Sequence, residues 1–303
     1  MFVYKKKINF NLKILLLIII KDYIATRWHY LQVDEKLEIR NFIYNYLKDN
    51  NSTLSRLILN KGIKIIVNIA KRDWPLEWPE LIPDLLKLNS SFDDLRLSFT
   101  IIKTINEEFT SSREDINASR KIELKQLFLE YVPMIISRMM NLLDNIYKEV
   151  FVMNSVSPIS ANGTFEPNSF LLSPGTPNIN TGFNNLPMIG ISPTSGVNSF
   201  SFPSPVSPNM NNTSMDNQRK EICVLILENL NQFFTWIPFS KEYINSQYLS
   251  IILSFAQLYQ ENLVELGILA MSCINEIFSK NYVPIQFISI LLDVASHTFE
   301  ILK

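Results

Sequence analysis

Apolar and polar side chains follow each other along this chain with the period of an α-helix. Between residues 53 and 72, aliphatic side chains cover one side of the pattern, while polar ones recur three or four positions apart. This spacing predicts an amphipathic helix with one face turned towards a core. The aliphatic side holds Leu54, Leu57, Ile58, Ile65, Ile66 and Ile69, and the polar stripe holds Arg56, Asn60, Lys64, Asn68 and Lys71.

The same period recurs later and predicts further helices. Residues 262–280 are apolar on nearly all sides, which is typical of a helix packed between neighbours. Pro238 is expected to end one helix, Pro284 to open another, and Pro83 to kink or delay a third. No segment alternates convincingly with the period of a strand, so the sequence predicts an all-α fold. The segments are 53–72, 79–89, 121–149, 222–237, 262–280 and 284–302.

Two Trp-Pro pairs stand four residues apart between the first two of these helices, and we call residues 73–79 the Trp-Pro corner. Proline is tolerated in the first turn of a helix, so Pro75 or Pro79 is predicted to mark a helix start, with Asp73 as its cap. Trp74 and Trp78 offer large apolar area where two helices meet, and we expect them to be structural. Short proline-marked turns between helices favour a helical repeat solenoid.

Residues 153–217 differ from the rest of the chain in composition. From 154 onwards they hold nine of the fifteen prolines and no lysine or arginine. Such a segment buries too little apolar surface to offset the entropy of ordering, so it is predicted to be a disordered insert. It is either a passive insert, or one that offers proline-rich ligands or sites for proline-directed kinases. The candidate phosphorylation sites are Ser157, Ser173, Thr176, Ser192, Ser204 and Ser207.

Residues 1–20 form an apolar lead segment to which no domain is assigned. Three lysines, Lys5 to Lys7, precede the aliphatic run 14–20, and this order imitates a secretory signal. The run is too short to span a bilayer, and Lys21 follows it without a small-residue cleavage pattern. The segment is a targeting signal, a membrane anchor, a buried helix, or a start that does not fit the repeats.

Charge and candidate chemistry point away from catalysis. The formal net charge of −1 over 303 residues gives no global basic field for nucleic acid. Neither His29 nor His297 has a partner at metal-ligand spacing, and Cys223 and Cys273 resemble reduced core cysteines. We therefore predict no catalytic residue, no metal and no cofactor. A binding scaffold is favoured over an α-helical enzyme, for which no constellation of residues argues.

Several segments of the chain resemble one family. They are similar to the exportin-type domain of the importin-β superfamily, whose fold is a HEAT/ARM-type helical repeat solenoid. The resemblance covers residues 21–152 and 218–303. The segments that carry it are 28–47, 61–75, 112–124, 228–240 and 266–280.

The resemblance implies a nuclear export receptor and its partners. Such a receptor binds Ran-GTP and protein cargo, here actin with profilin, passes nuclear pore proteins, and shuttles between nucleus and cytoplasm without binding a membrane. GTP hydrolysis belongs to Ran. In this family the second helix of each early pair lines the concave surface where Ran and cargo bind. Glu80, Asp84 and Lys87 follow the Trp-Pro corner and are predicted to contact a partner; the alternative is a solvated face.

The predicted organisation is a lead segment at 1–20, a first HEAT block at 21–152, the insert at 153–217, and a second HEAT block at 218–303. The resemblance omits residues 1–20 and stops before such a receptor would end. We therefore expect an N-terminal portion with a substituted start, which is a fragment, a split gene or a misread exon. The alternative function is a HEAT scaffold without a transport role, such as a phosphatase or trafficking adaptor.

Overall fold

The computed structural model describes residues 10–111, 117–152, 215–258 and 263–301. Over these ranges the chain folds into ten α-helices and contains no strand. The predicted all-α helical repeat solenoid is thereby confirmed. The helices are α1 (Phe10–Arg27), α2 (Val33–Asn50), α3 (Arg56–Asp73), α4 (Leu81–Lys87), α5 (Phe92–Thr110), α6 (Ala118–Tyr147), α7 (Asn217–Trp236), α8 (Ser246–Ala256), α9 (Val264–Phe278) and α10 (Ile288–Ile301).

The helices form two layers that alternate along the chain. The odd-numbered helices pack on one another in order, from α1 on α3 to α7 on α9. From α4 onwards the even-numbered helices do the same, with α6 on α8 and α8 on α10. Contacts such as α2 with α3 and α8 with α9 join the two layers. Each helix therefore needs an apolar face towards its neighbours, which is the pattern that the sequence carries.

One hydrophobic core runs through the helices on both sides of the predicted insert. Phe128 of α6 lies with its ring centroid 5.9 Å from that of Phe233 in α7. The indole Nε1 of Trp236 in α7 donates to Asn106 Oδ1 in α5 at 2.9 Å. The helical blocks before and after residues 153–217 are therefore consecutive parts of one stack.

The structure describes only the last three residues of the predicted insert, 215–217. Residues 153–214 lie outside the described residues, and so do the six candidate phosphorylation sites. Residues 215–217 belong to the helical stack. Met215 is buried, and the Asp216 carboxylate accepts from the backbone N–H of Arg219 at 2.8 Å, which caps α7.

Helix α1 crosses the boundary that we predicted at residue 20. Its inner side packs on α3, with Ile24 buried and Leu17 and Ile20 against the core. On its outer side, Leu15 and Ile19 are about half exposed. Within the described ranges, no helix has the length and apolar character needed to cross a membrane.

Candidate functional site

The Trp-Pro corner is buried in the stack. Trp74 is fully buried, and its ring centroid lies 5.9 Å from that of Phe109 and 5.7 Å from that of Tyr131. Trp78 meets Tyr44 edge to face at 6.2 Å, and the Arg40 guanidinium lies 4.9 Å from its ring centroid. The two indoles therefore join α2, α5 and α6, which accounts for their large apolar area at this point.

The prediction that Asp73 caps the following helix is wrong. Asp73 is the last residue of α3, and its buried carboxylate accepts from Trp28 Nε1 at 2.7 Å. Helix α4 begins only at Leu81, after Glu80, so neither Pro75 nor Pro79 takes its first position. Pro83 stands third in α4, where a backbone N–H has no intrahelical acceptor, and this explains why it is tolerated.

Burial dominates the electrostatics of Asp73. Loss of solvent raises the pKa of its carboxyl above the ordinary value of 3.8, against the opposing effect of the Trp28 hydrogen bond. Glu77 adds to the rise, whereas Lys36 and Arg40 oppose it more weakly. This carboxyl is thus held between an indole donor and two cations of α2 inside the corner.

Arginines from α2 and α6 donate hydrogen bonds to backbone carbonyls in and beside the corner. Arg120 of α6 donates through Nε to the carbonyl oxygen of Lys71 at 3.2 Å and through Nη2 to that of Trp74. Arg40 of α2 donates through Nη1 to the Glu77 carbonyl at 2.6 Å. The last carbonyls of a helix lack intrahelical partners and carry partial negative charge, so Arg120 satisfies and neutralises them at the end of α3. Arg40 instead binds a carbonyl of the turn between α3 and α4. Sequence spacing gave no sign of Arg120, which stands far along the chain from α3.

Glu80, Asp84 and Lys87, which we call the α4 stripe, lie beside the corner and face solvent. Lys87 Nζ and Asp84 Oδ1 form an ion pair of 3.1 Å, in which the side chains are 75% and 44% exposed. Glu80 is exposed and makes no side-chain cap. Burial, followed by the charges of Asp84 and Asp94, raises the pKa of Tyr44 in α2 to about 12. The stripe thus brings an exposed negative potential next to α2, and it can offer charge to a protein partner.

Neither the histidines nor the cysteines form a reactive group. His29 lies against the ring of Tyr30, and His297 Nδ1 is 2.8 Å from the Asp293 carbonyl. Burial raises the pKa of both thiols, Cys223 and Cys273, which makes them poor nucleophiles. Among the described residues, no group of three or more His, Cys, Asp or Glu side chains is placed to hold a metal ion.

The sequence is similar to known exportins. A family model described as "Exportin 1-like protein" matches residues 55–162, which include α3 to α6. Exportin-6-A of Xenopus laevis is 29% identical over 318 aligned positions, which cover 94% of this chain and 26% of that protein. Human Exportin-6 is 30% identical over 307 positions, covering 95% of this chain and 25% of that protein. Protein EXPORTIN 1A of Arabidopsis thaliana is 30% identical over 125 positions and 39% of this chain.

These alignments extend beyond the segments that suggested the resemblance. Since they cover at least 94% of the chain, they run through most of the Ser/Pro/Asn-rich segment as well as both helical blocks. The chain spans about a quarter of the length of the exportin-6 relatives that it matches. The chain is therefore similar to exportins along nearly its whole length, and the similarity is that expected of an exportin-6-like N-terminal portion.

Proposed function

We propose that this chain serves as a nuclear export receptor, or as the part of one that these helices represent. It binds Ran-GTP and protein cargo in the nucleus, passes nuclear pore proteins, and releases the cargo in the cytoplasm. The proposed cargo is actin with profilin. The chain needs no cofactor and supplies no catalytic residue, because the GTP is hydrolysed by Ran.

One observation carries this proposal. The similarity to exportin-6 extends along 94–95% of the chain rather than along a single repeat. A shared solenoid alone supports only the fold, since one architecture hosts many functions. An alignment that extends along nearly the whole chain is instead what two proteins with the same task are expected to give.

The α4 stripe is the proposed contact surface of this receptor. Its carboxylates are exposed, and its one ion pair is a surface pair that costs little to break. A charged surface of this kind contributes to a complex mainly when a partner of opposite charge covers it. Binding is proposed to be cooperative, and the coupling must be reciprocal: Ran raises the affinity for cargo by the same factor as cargo raises that for Ran.

The test is a pull-down with Ran locked in its GTP form, with and without actin–profilin. The bait is the chain itself and a chimaera in which the chain replaces the aligned quarter of Exportin-6-A. Ran loaded with GDP is the matched control. We expect the chimaera to retain Ran only in the GTP form, and to retain more when cargo is present. A chimaera that folds and binds neither form contradicts the proposed function.

A HEAT scaffold without a transport role is the second candidate. It is supported by the same two-layer stack, which offers long helical faces to any protein partner. The two candidates differ in nucleotide dependence, because a scaffold binds its partner whether Ran carries GTP or GDP. A second readout is the export of a fluorescent chimaera from nuclei, measured with and without Ran-GTP. An export receptor leaves the nuclei only with Ran-GTP, whereas a scaffold shows no such dependence.

A further inference from the structure

A narrow groove runs between α1 and α3 on the odd-numbered layer, and we call it the α1–α3 groove. Its volume is about 270 Å³. Leu57, Lys61 and Lys64 reach it from α3 because positions i, i+4 and i+7 share one face of a helix. The sequence pattern predicted Leu57 on the buried side, but the residue is 50% exposed. Seven residues line the groove: Leu17, Ile18, Lys21, Leu57, Asn60, Lys61 and Lys64.

The charge of this groove comes from its three lysines. In the described part of the chain, neither a hydrogen bond nor an ion pair joins Lys21, Lys61 or Lys64 to a carboxylate. Further along α3, Lys71 is buried and paired with Glu108. The α1–α3 groove therefore concentrates positive charge over an apolar floor.

A second groove of the same layer shows the contrasting arrangement. It has a volume of about 650 Å³ and lies among α3, α5, α7 and α9. Arg56 pairs with Glu221 at 2.7 Å, Lys103 with Glu228 at 2.7 Å, and Lys220 with Glu265 at 3.5 Å. Carboxylates from the next helices thus neutralise its cations, and this groove leaves little charge for a partner.

The volume and charge of the α1–α3 groove indicate what it can hold. A site of about 270 Å³ is smaller than the roughly 300–1,000 Å³ typical of small-molecule sites. It has room for an apolar side chain on Leu17, Ile18 and Leu57, with carboxylates on either side of that anchor reaching the lysines. We propose that the α1–α3 groove docks an acidic segment of a partner protein through one apolar anchor.

The chain's own low-complexity sequence does not supply this occupant. Residues 153–214 contain a single carboxylate, Glu166, and residues 1–9 carry Lys5, Lys6 and Lys7. Neither segment complements three lysines. The α4 stripe belongs to the even-numbered layer and is rich in carboxylate, so it attracts a partner of the opposite charge. The groove is accordingly a second docking surface, additional to the proposed Ran and cargo contacts.

Fluorescence anisotropy of the full chain tests the groove directly. The probe is a labelled peptide of alternating glutamate and aspartate with a central leucine. Control peptides replace the acids by glutamine and asparagine, or the leucine by glycine. We expect only the acidic, leucine-containing peptide to bind well, and its affinity to fall as salt screens the lysines. The double reversal Lys61→Glu with Lys64→Glu is expected to weaken binding by about tenfold to a hundredfold.

The matched control variant reverses Lys48 and Lys241, which are exposed and lie outside the groove. It is expected to bind like the unchanged chain. Thermal melts check folding, and Lys61→Gln with Lys64→Gln replaces the reversal if the latter unfolds. Equal binding by groove and control variants overturns the proposal. So does preference for oligouridine RNA or phosphatidylserine vesicles over the acidic peptide, because the ligand would then be another class of molecule.

Discussion

The Trp-Pro corner and the α4 stripe are adjacent in sequence but lie in opposite environments. In the corner, Trp74 and Trp78 are buried, and cations from α2 and α6 satisfy carbonyls of the surrounding backbone. The stripe is exposed, and its Asp84–Lys87 pair lies within a single helix. The comparison teaches that the most distinctive residues of this segment maintain the fold, whereas the ordinary charges beside them remain exposed to solvent.

Of the variants proposed here, Trp78→Ala should lower the unfolding free energy most. Because the ring is buried against Tyr44 and Arg40, the variant is expected to lose about 3–5 kcal/mol of unfolding free energy. Urea denaturation measures the loss. Trp78→Phe, which retains much of the apolar volume, should lose less, and an unchanged midpoint in the alanine variant would mean that the corner is not structural.

Arg120→Ala should have the next largest effect. The variant leaves the carbonyls of Lys71 and Trp74 without their donor, which is expected to cost about 1–3 kcal/mol. Arg56→Ala is the matched control, because that side chain is 82% exposed and its pair with Glu221 is worth about 0–1 kcal/mol. Equal destabilisation by the two alanine variants would contradict the assigned role of Arg120.

The carboxyl of Asp73 is expected to make the unfolding free energy of the chain depend on pH. Its pKa is higher in the folded than in the unfolded chain, so the folded state holds the proton more strongly. Its contribution to the unfolding free energy is therefore fully present below the unfolded pKa and is lost as pH rises through the folded pKa. Asp73→Asn keeps an acceptor for Trp28 and removes this titration.

The variant should accordingly gain stability relative to the unchanged chain as pH rises through that window. Urea denaturation at a series of pH values from about 3.9 upwards checks this difference. Parallel pH profiles for the two proteins would rule out the buried titration.

Charge changes in the α4 stripe should affect stability least. Breaking the exposed Asp84–Lys87 pair with Lys87→Gln is expected to change the unfolding free energy by about 0–1 kcal/mol. A thermal melt beside that of Trp78→Ala sharpens the comparison, since the two positions lie close in sequence. A loss as large as that of the tryptophan variant would show that the stripe is part of the fold.

The sequence predicted the helices well because each helix must present an apolar face to its neighbours. Apolar residues spaced three or four positions apart along the chain identify that face. The burial of Trp74 and Trp78 was also predictable, from the size and apolar area of their side chains. The role of Asp73 was not, because its partner Trp28 lies in another part of the chain. The hydrogen bonds of Arg120 and the half exposure of Leu57 likewise depend on which helices become neighbours. The α4 stripe could be located by periodicity, but that pattern does not encode whether a partner binds it.

Titration of GTP-loaded Ran against the Exportin-6-A chimaera tests the central claim most directly. Three forms are compared: the unchanged chimaera, Glu80→Lys with Asp84→Lys, and Arg56→Ala as an exposed control. We expect the reversed stripe to weaken Ran-GTP binding by about tenfold or more without lowering the melting temperature, while the control binds normally. GTP-dependent binding that is identical in all three forms would contradict the role of the stripe. Absence of GTP-dependent binding in the unchanged, folded chimaera would contradict the export-receptor function itself.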